Sequence, residues 1–226
     1  MNGLDFSSVA AALPYLWSGL EFSITLTAVT FLFGMLLGTL FATIQQARIP
    51  VLGQAVRIYI ALVRSIPLIL VLFWFFFLVP LILGALTASG RPVPINATYT
   101  AFITFGLFEA AYYSEILRVG FRSVGQGQFE AARSLCLPTF QLYRRVVMPQ
   151  VFRVAAPIIL SQTIVLFQDT SLVYVLSLTD LLGAASKLAQ LNGRFVEMYL
   201  STALVYFVIC STASQAVLKL RERAIR

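Results

Sequence analysis

The sequence predicts an all-α integral membrane protein with five transmembrane helices, on three observations. Hydrophobic residues make up 59% of the 226 positions and charged residues only 11%, whereas about a quarter of the residues in a soluble domain are charged. The apolar residues form five long runs, and most basic residues lie in the segments on one side of them. Long apolar runs and an asymmetric distribution of Lys and Arg are both typical of multi-pass membrane proteins.

A helix needs about 20 apolar residues to cross the hydrocarbon core of a bilayer. Runs of this length extend from about Phe22 to Ile44, Ile58 to Leu83, Tyr99 to Leu117, Pro157 to Leu176 and Val196 to Leu218. The segment Met1 to Leu20 has no basic start, and the apolar run after it is too long for a signal peptide, so we expect it to be retained. Gly34 and Gly38 have the spacing that permits close contact between the first span and another helix.

The basic residues predict the orientation. If the first span runs from outside to inside, three basic residues lie outside, namely Arg91, Lys187 and Arg194. Twelve lie on the cytoplasmic side: Arg48, Arg57, Arg118, Arg122, Arg133, Arg144, Arg145, Arg153, Lys219, Arg221, Arg223 and Arg226. Because Lys and Arg are enriched in cytoplasmic loops, we expect the N-terminus outside and the C-terminus in the cytoplasm.

This orientation gives one long cytoplasmic loop, of about 35 residues, from Arg118 to Arg153. Loops of that length are usually functional or disordered, and this loop has the pattern of two short helices. Pro138 is expected to end the first helix and Pro149 the second.

Phe129, Ala132 and Cys136 recur at helical spacing in the first of these two helices and form a small apolar face. That face suits the docking of another protein. A helix that lies on the lipid surface remains the alternative interpretation.

The run Glu130, Ala131, Ala132, followed by Cys136 and Pro149, resembles the EAA loop of bacterial ABC importer permeases. The family has Gly at the position of Cys136, which puts a close approach at that position in question. The resemblance implies that these five residues belong to a coupling helix that seats in a groove of an ATP-hydrolysing subunit.

The resemblance covers nearly the whole chain. The stretches VRSIPLILVLFW, FEAAYYSEILRVGFRSVGQGQFEAARSL and VLFQDTSLVYVLSLTDL resemble polar amino-acid permeases, and together they are closest to glutamate/aspartate permeases. The resemblance implies a type I importer permease with a single transmembrane domain, residues 1–226, in a bacterial inner membrane. It also implies a second permease subunit, two ATP-binding subunits that hold ATP and Mg, a periplasmic solute-binding protein and an amino-acid substrate. No cofactor is expected in this chain.

Several function classes are excluded or disfavoured. The chain has no histidine and therefore no Ser-His-Asp arrangement, and it has no phosphate-binding G-x-x-x-x-G-K-[ST] loop. Cys136 and Cys210 lack the spacing of a metal site or a disulfide framework, and a basic membrane protein gives no reason to expect nucleic acid as a partner. Asp169 has no second intramembrane aspartate with which to form a protease. We expect no catalytic and no metal site.

Polar residues inside the spans identify a candidate substrate path. Glu109 is in the third span, and Gln162 and Asp169 lie seven residues apart on one face of the fourth, followed by Thr170 and Ser171. Charged groups in a span are costly and normally face a bundle interior or a water-filled path. For Glu109 and Asp169, a hydrogen bond that only orders the bundle is the alternative interpretation.

Two further charged residues lie near the ends of spans. We expect Glu115 to pair with Arg118 or Arg122, and Arg64 to extend its guanidinium to the cytoplasmic interface. We expect Pro67 to kink the second span and free backbone carbonyls that could line a path.

Intramembrane acids also fit a proton-coupled secondary carrier, although no inverted repeat is visible. That carrier, and an ABC permease for another polar amino acid, are the alternative functions.

Overall fold

The computed structural model describes residues 5–47, 49–87 and 90–225, without the side chains of 223–225. Met1 to Leu4, Arg48, Arg226 and the side chain of Arg223, on which predictions above rest, lie outside the described residues. In the described part of the chain there is no β-strand, and ten α-helices are joined by short connections. They are α1 (Ser7–Gln46), α2 (Pro50–Arg64), α3 (Leu68–Phe73), α4 (Val79–Leu86), α5 (Ala97–Ser123), α6 (Gln126–Ser134), α7 (Thr139–Gln141), α8 (Met148–Asp169), α9 (Leu181–Asn192) and α10 (Phe195–Ile225).

Within the described residues, four helical stretches are long and apolar enough to cross a membrane: Ser7–Gln46, Leu68–Leu86, Thr139–Leu176 and Phe195–Glu222. They contain the first, fourth and fifth predicted spans and most of the second. The third predicted span is helical as α5, which at 27 residues is long enough to cross a membrane, but its sequence is not apolar enough to be counted with these four stretches. The first helix is longer than predicted, because it begins at Ser7 and extends for 40 residues.

The prediction that one kinked helix runs from Ile58 to Leu83 is wrong. The chain forms two helices there, α2 and α3, and the amide groups of Ser65 and Ile66 close α2 by donating to the carbonyls of Leu62 and Val63. Pro67 has no amide hydrogen, and its ring disfavours a helical conformation at the residue before it. The break therefore occurs at Pro67, as predicted, but it is complete.

The expectation that Pro149 ends a helix is also wrong. A π-helical segment, Leu142–Val147, joins α7 to α8, and the Met148 amide donates to the carbonyl of Tyr143 five residues earlier. A second π-helical segment, Trp74–Leu78, precedes Pro80 in the same way. In a π-helical turn the backbone amide bonds to the carbonyl five residues earlier instead of four. The bond that the proline cannot donate is skipped in this way, so the helix continues past it.

Helix α5 is the central helix and packs against α1, α2, α3 and α8. The closest contact is with α1, as the spacing of Gly34 and Gly38 predicted. A Cβ atom on Gly38 would lie 2.9 Å from Tyr113 Cβ and 3.0 Å from the Ala110 carbonyl oxygen. Glycine is therefore required for this approach, and the close contact is confirmed.

At the N-terminal end of α1, Arg194 links the start of α1 to the start of α10. Its Nη1 lies 2.8 Å from Asp5 Oδ2 and 3.8 Å from Glu197 Oε1. Hydrogen bonds from the side chain and backbone of Ser7 hold the pKa of the Asp5 carboxyl below its usual range. Asp5 is therefore ionised at neutral pH and keeps the two helix ends together.

Candidate functional site

A cleft of about 490 Å³ opens where the break between α2 and α3 meets α5 and α8. Its polar lining includes one cation, Arg64, one carboxylate, Asp169, the Gln162 amide and Tyr112. The unwound residues Ser65 and 66–67 line it as well. The helical ladder is interrupted there, and the prediction that backbone carbonyls near Pro67 line a path stays a prediction.

Gln162 and Asp169 both line this cleft, in agreement with the prediction that they share one face of a helix. Gln162 also connects α8 to α5, since its Nε2 donates to Glu109 Oε1 and Oε2 at 3.2 and 3.3 Å. Glu109 is only 1% exposed, and it lies behind Gln162 rather than in the lining of the cleft. One interpretation of Glu109 was a hydrogen bond that only orders the helix bundle. That bond is present, and its donor, Gln162, separates Glu109 from the cleft.

The structure does not bring Thr170 and Ser171 into the cleft. Thr170 is fully buried, and its hydroxyl donates to the carbonyl of Phe167 at 2.7 Å. Ser171 is half-buried and is not part of the cleft lining. Only the acid of the Asp-Thr-Ser run faces the cavity, because consecutive residues on a helix point in different directions.

Arg64, which was expected at the cytoplasmic interface and not among the residues of the candidate path, lines the cleft. Its guanidinium carbon lies 5.4 Å from the centre of the Tyr112 ring, and its Nη1 lies 4.0 Å from Glu115 Oε2. Glu115 is also paired with Arg118, whose Nε donates at 2.9 Å, which confirms the predicted ion pair. The signal that could have identified Arg64 is its position directly before the Pro67 break, where the helix must end and expose its last residue.

The polar loop after α5 folds into α6 and the start of the α7–α8 helix. The predicted docking face of α6 is wrong for two of its three residues. Ala132 is only 3% exposed, and Phe129 is half-buried with its ring centre 6.4 Å from that of Tyr143. Both belong to the apolar core of this end of the bundle. The reason is that α6 needs its own apolar stripe to pack onto the chain.

The outer surface of the loop presents other residues. Glu130, Ala131 and Cys136 are exposed, and Leu135 and Phe140 are large apolar side chains that are 74% and 71% exposed. Exposed apolar groups beside charged ones are typical of a protein interface.

Cys136 has a backbone role that the sequence did not reveal. Its φ is 51°, in the left-handed region. Its amide donates to the carbonyl of Arg133 at 2.9 Å, and the Leu137 amide donates to the carbonyl of Ala132 at 3.1 Å. These two bonds form a Schellman motif, the helix ending that normally uses glycine at this position. The glycine of the family is therefore explained by conformation as well as by size.

A helical bundle with several membrane-spanning stretches, a polar cleft between its helices and a helical loop at one end is the architecture of a multi-pass transport subunit. The chain belongs to the family of binding-protein-dependent transport system inner membrane components, whose family model matches residues 31–226. It is thus an ABC transporter permease subunit of the inner membrane, a transport component that works with other subunits.

The chain is similar over most or nearly all of its length to other amino-acid permease proteins. It is 40% identical, over 99% of both chains, to the glutamate/aspartate import permease protein GltK of Escherichia coli O157:H7. It is 33% identical, over 93% of this chain and 94% of the other, to the probable glutamine ABC transporter permease protein GlnP of Bacillus subtilis (strain 168).

Solved structures share the fold. One is a crystal structure of an amino acid ABC transporter with histidines, which is 27% identical, has a TM-score of 0.86 and covers 98% of this chain and 99% of its own. An inward-facing MetNI methionine ABC transporter has a TM-score of 0.74 at 16% identity, with 94% and 97% of the chains covered. That second similarity concerns the fold alone.

Proposed function

We propose that this chain is a permease subunit of an ATP-driven importer for polar amino acids, with glutamate and aspartate as the first candidates. The similarity to the E. coli glutamate/aspartate permease supports the substrate class. The chain pairs with a second permease subunit and with two ATP-binding subunits, which hold ATP and Mg. A periplasmic solute-binding protein delivers the substrate.

The proposal includes a fifth span formed by α5. At a rise of 1.5 Å per residue, its 27 residues extend for about 40 Å, which exceeds the roughly 30 Å hydrocarbon core. Its low hydropathy has a physical reason, because most of α5 packs against other helices and carries buried polar groups such as Thr104, Glu109 and Ser114. Its exposed positions include the apolar residues Ile103 and Val119, so the part of its surface that is left for lipid is small and apolar.

The cleft is the proposed substrate path, and one observation carries this function. The cavity presents a guanidinium and a carboxylate, on Arg64 and Asp169, to the same space. An α-amino acid carries an ammonium and a carboxylate, so its backbone complements both groups. The second carboxylate of an acidic substrate would be repelled by Asp169, and we assign its donors to the second permease subunit.

The loop that contains α6 is the proposed coupling element. Its exposed residues, Glu130, Ala131, Leu135 and Cys136, contact the ATP-binding subunit, while buried Ala132 fixes the helix to the rest of the chain. Closure of the nucleotide sites moves the coupling helices together and opens the outer face toward the binding protein. The basic loops support the orientation in which α6 is cytoplasmic.

Uptake of radiolabelled glutamate into proteoliposomes that contain the assembled transporter tests this function. Asp169→Asn keeps the shape and removes the charge, and we expect uptake to fall about tenfold or more, as for the loss of one charge-assisted hydrogen bond. Gln168→Asn is the matched control, because Gln168 is exposed and is not part of the cleft lining.

Three results would contradict the proposal. Normal uptake by Asp169→Asn would remove this residue from the path. Uptake that needs a proton gradient but no ATP-binding subunit would identify a secondary carrier. Competition by another polar amino acid, without competition by aspartate, would change the substrate.

A further inference from the structure

A large apolar groove runs along the outside of the bundle, away from the cleft. It has a volume of about 520 Å³ and is lined by α1, α8 and α10. On α10 the lining alternates small and branched side chains, including Cys210, Ala213, Ala216 and Val217. These small residues leave the space that larger side chains would fill.

The hydroxyl groups in the lining of the groove are hydrogen-bonded within the chain, so an occupant needs no polar group. Its two threonines on α1 and α8 are Thr27 and Thr163, and their hydroxyls donate to the carbonyls of Ser23 and Ile159 at 2.8 and 2.9 Å. The other lining residues are apolar apart from the Cys210 thiol. An occupant of this groove is therefore a hydrocarbon chain or another apolar surface.

The length of the groove matches half of a bilayer. Its lining on α10 extends from Ile209 to Leu220, which is about 16 Å at 1.5 Å per residue. Half of the hydrocarbon core is about 15 Å thick. The groove lining ends at Leu220, two residues beyond the end of the fifth predicted span at Leu218, where the chain becomes basic.

A second cavity, of about 430 Å³, continues from that end. It lies between α8 and α10, and Val217 lines both cavities. Arg153 from α8 and Arg221 from α10 line it, together with Ser161 and apolar residues. In the described part of the chain neither arginine makes an ion pair or a side-chain hydrogen bond. Two unpaired guanidinium groups on antiparallel helices therefore face one small cavity.

We propose that these two cavities form a binding site for one anionic phospholipid. Arg153 and Arg221 hold the phosphate of the headgroup, and an acyl chain lies in the groove between α1, α8 and α10. Arginine binds phosphate through paired N–H donors, and each basic residue near an anionic membrane surface adds to lipid affinity. Under the proposed orientation the lipid belongs to the cytoplasmic leaflet, but the site itself depends only on the geometry.

The choice of a lipid over a protein partner rests on charge and shape. A partner helix would have to present an acidic pair beside a long apolar side, whereas a phospholipid combines an anionic head with a chain of about one leaflet's length. A second permease subunit that covers the groove is the competing occupant, and the experiment separates the two.

The test is native mass spectrometry of the detergent-purified transporter titrated with dioleoyl phosphatidylglycerol or dioleoyl phosphatidylcholine. The double variant Arg153→Gln/Arg221→Gln removes both proposed phosphate contacts. The control Arg145→Gln/Lys219→Gln removes the same net charge from exposed residues that line neither cavity. We expect the first pair to weaken binding of phosphatidylglycerol about tenfold, and the control pair to change it less than twofold.

A third variant tests the groove without altering charge. Ala213→Phe fills the space between α8 and α10, and we expect it to weaken phosphatidylglycerol binding while both arginines remain. Four results would each overturn the proposal. The first is equal binding of phosphatidylglycerol by the wild type and both double variants, and the second is an equal loss of binding in the two double variants. The third is full binding by Ala213→Phe, and the fourth is an affinity for phosphatidylcholine equal to that for phosphatidylglycerol. Occupation of the groove by a second subunit would produce the first of these results. None of these outcomes depends on amino-acid uptake.

Discussion

Replacing Cys136 by glycine should stabilise the end of α6. Cys136 has a φ of 51°, and a left-handed conformation costs an L-residue roughly 1 to 2 kcal/mol. Glycine avoids that cost but loses about 0.5 to 1 kcal/mol through its greater freedom in the unfolded chain. With the middle of each range, the net effect of Cys136→Gly is a stabilisation of the helix end by about 0.75 kcal/mol.

Hydrogen exchange measures this effect locally. The amides of Cys136 and Leu137 are the two donors of the Schellman motif, so their exchange reports the opening of the helix end. A stabilisation of about 0.75 kcal/mol predicts that exchange in the peptide 126–138 slows about two- to fivefold in the purified transporter.

The control has the opposite sign. Ser134→Gly introduces glycine within α6, where it lowers helix stability by about 0.5 kcal/mol, and exchange of the same peptide should accelerate about twofold. Exchange in Cys136→Gly that is unchanged or faster would refute the assignment of a strained Schellman ending.

Three further predictions concern packing, topology and coupling. Gly38→Val should lower the melting temperature in detergent, because overpacking costs about 1 to 3 kcal/mol. Gly127→Ala should leave it unchanged, because no atom lies within 4 Å of its added Cβ. Equal melting temperatures for the two variants would contradict the close α1–α5 contact. In a cysteine-free background, a cysteine at Gln126 should react with an impermeant thiol reagent only from the cytoplasm and one at Asn192 only from outside, and reversed labelling would invert the proposed orientation. Glu130→Lys should weaken coupling by about 1 to 3 kcal/mol and lower uptake at constant membrane level, whereas unchanged uptake with intact ATPase association would favour a helix on the lipid surface.

Properties that depend on one segment at a time could be predicted from the sequence. Partition into a bilayer is a sum over about 20 neighbouring residues, so the apolar runs predicted membrane helices without knowledge of their partners. The Gly34 and Gly38 spacing predicted a close helix contact for the same local reason. The polar pair Gln162 and Asp169 was correctly assigned to one helix face, because helical geometry determines which residues of a segment share a side.

Contacts between distant segments determine what each helix face meets. The cleft combines Arg64 with Asp169, and Gln162 bonds to Glu109 across a sequence separation of 53 residues. Such contacts depend on the rotation and packing of separate helices, about which a hydrophobic pattern carries little information. Ala132 shows the same limit, since its helical spacing predicted an apolar face but not that the chain itself would cover it. Local chemistry therefore determines that these helices form and enter a membrane, and contacts between distant segments determine which of their residues are left to bind a substrate, a lipid or a partner.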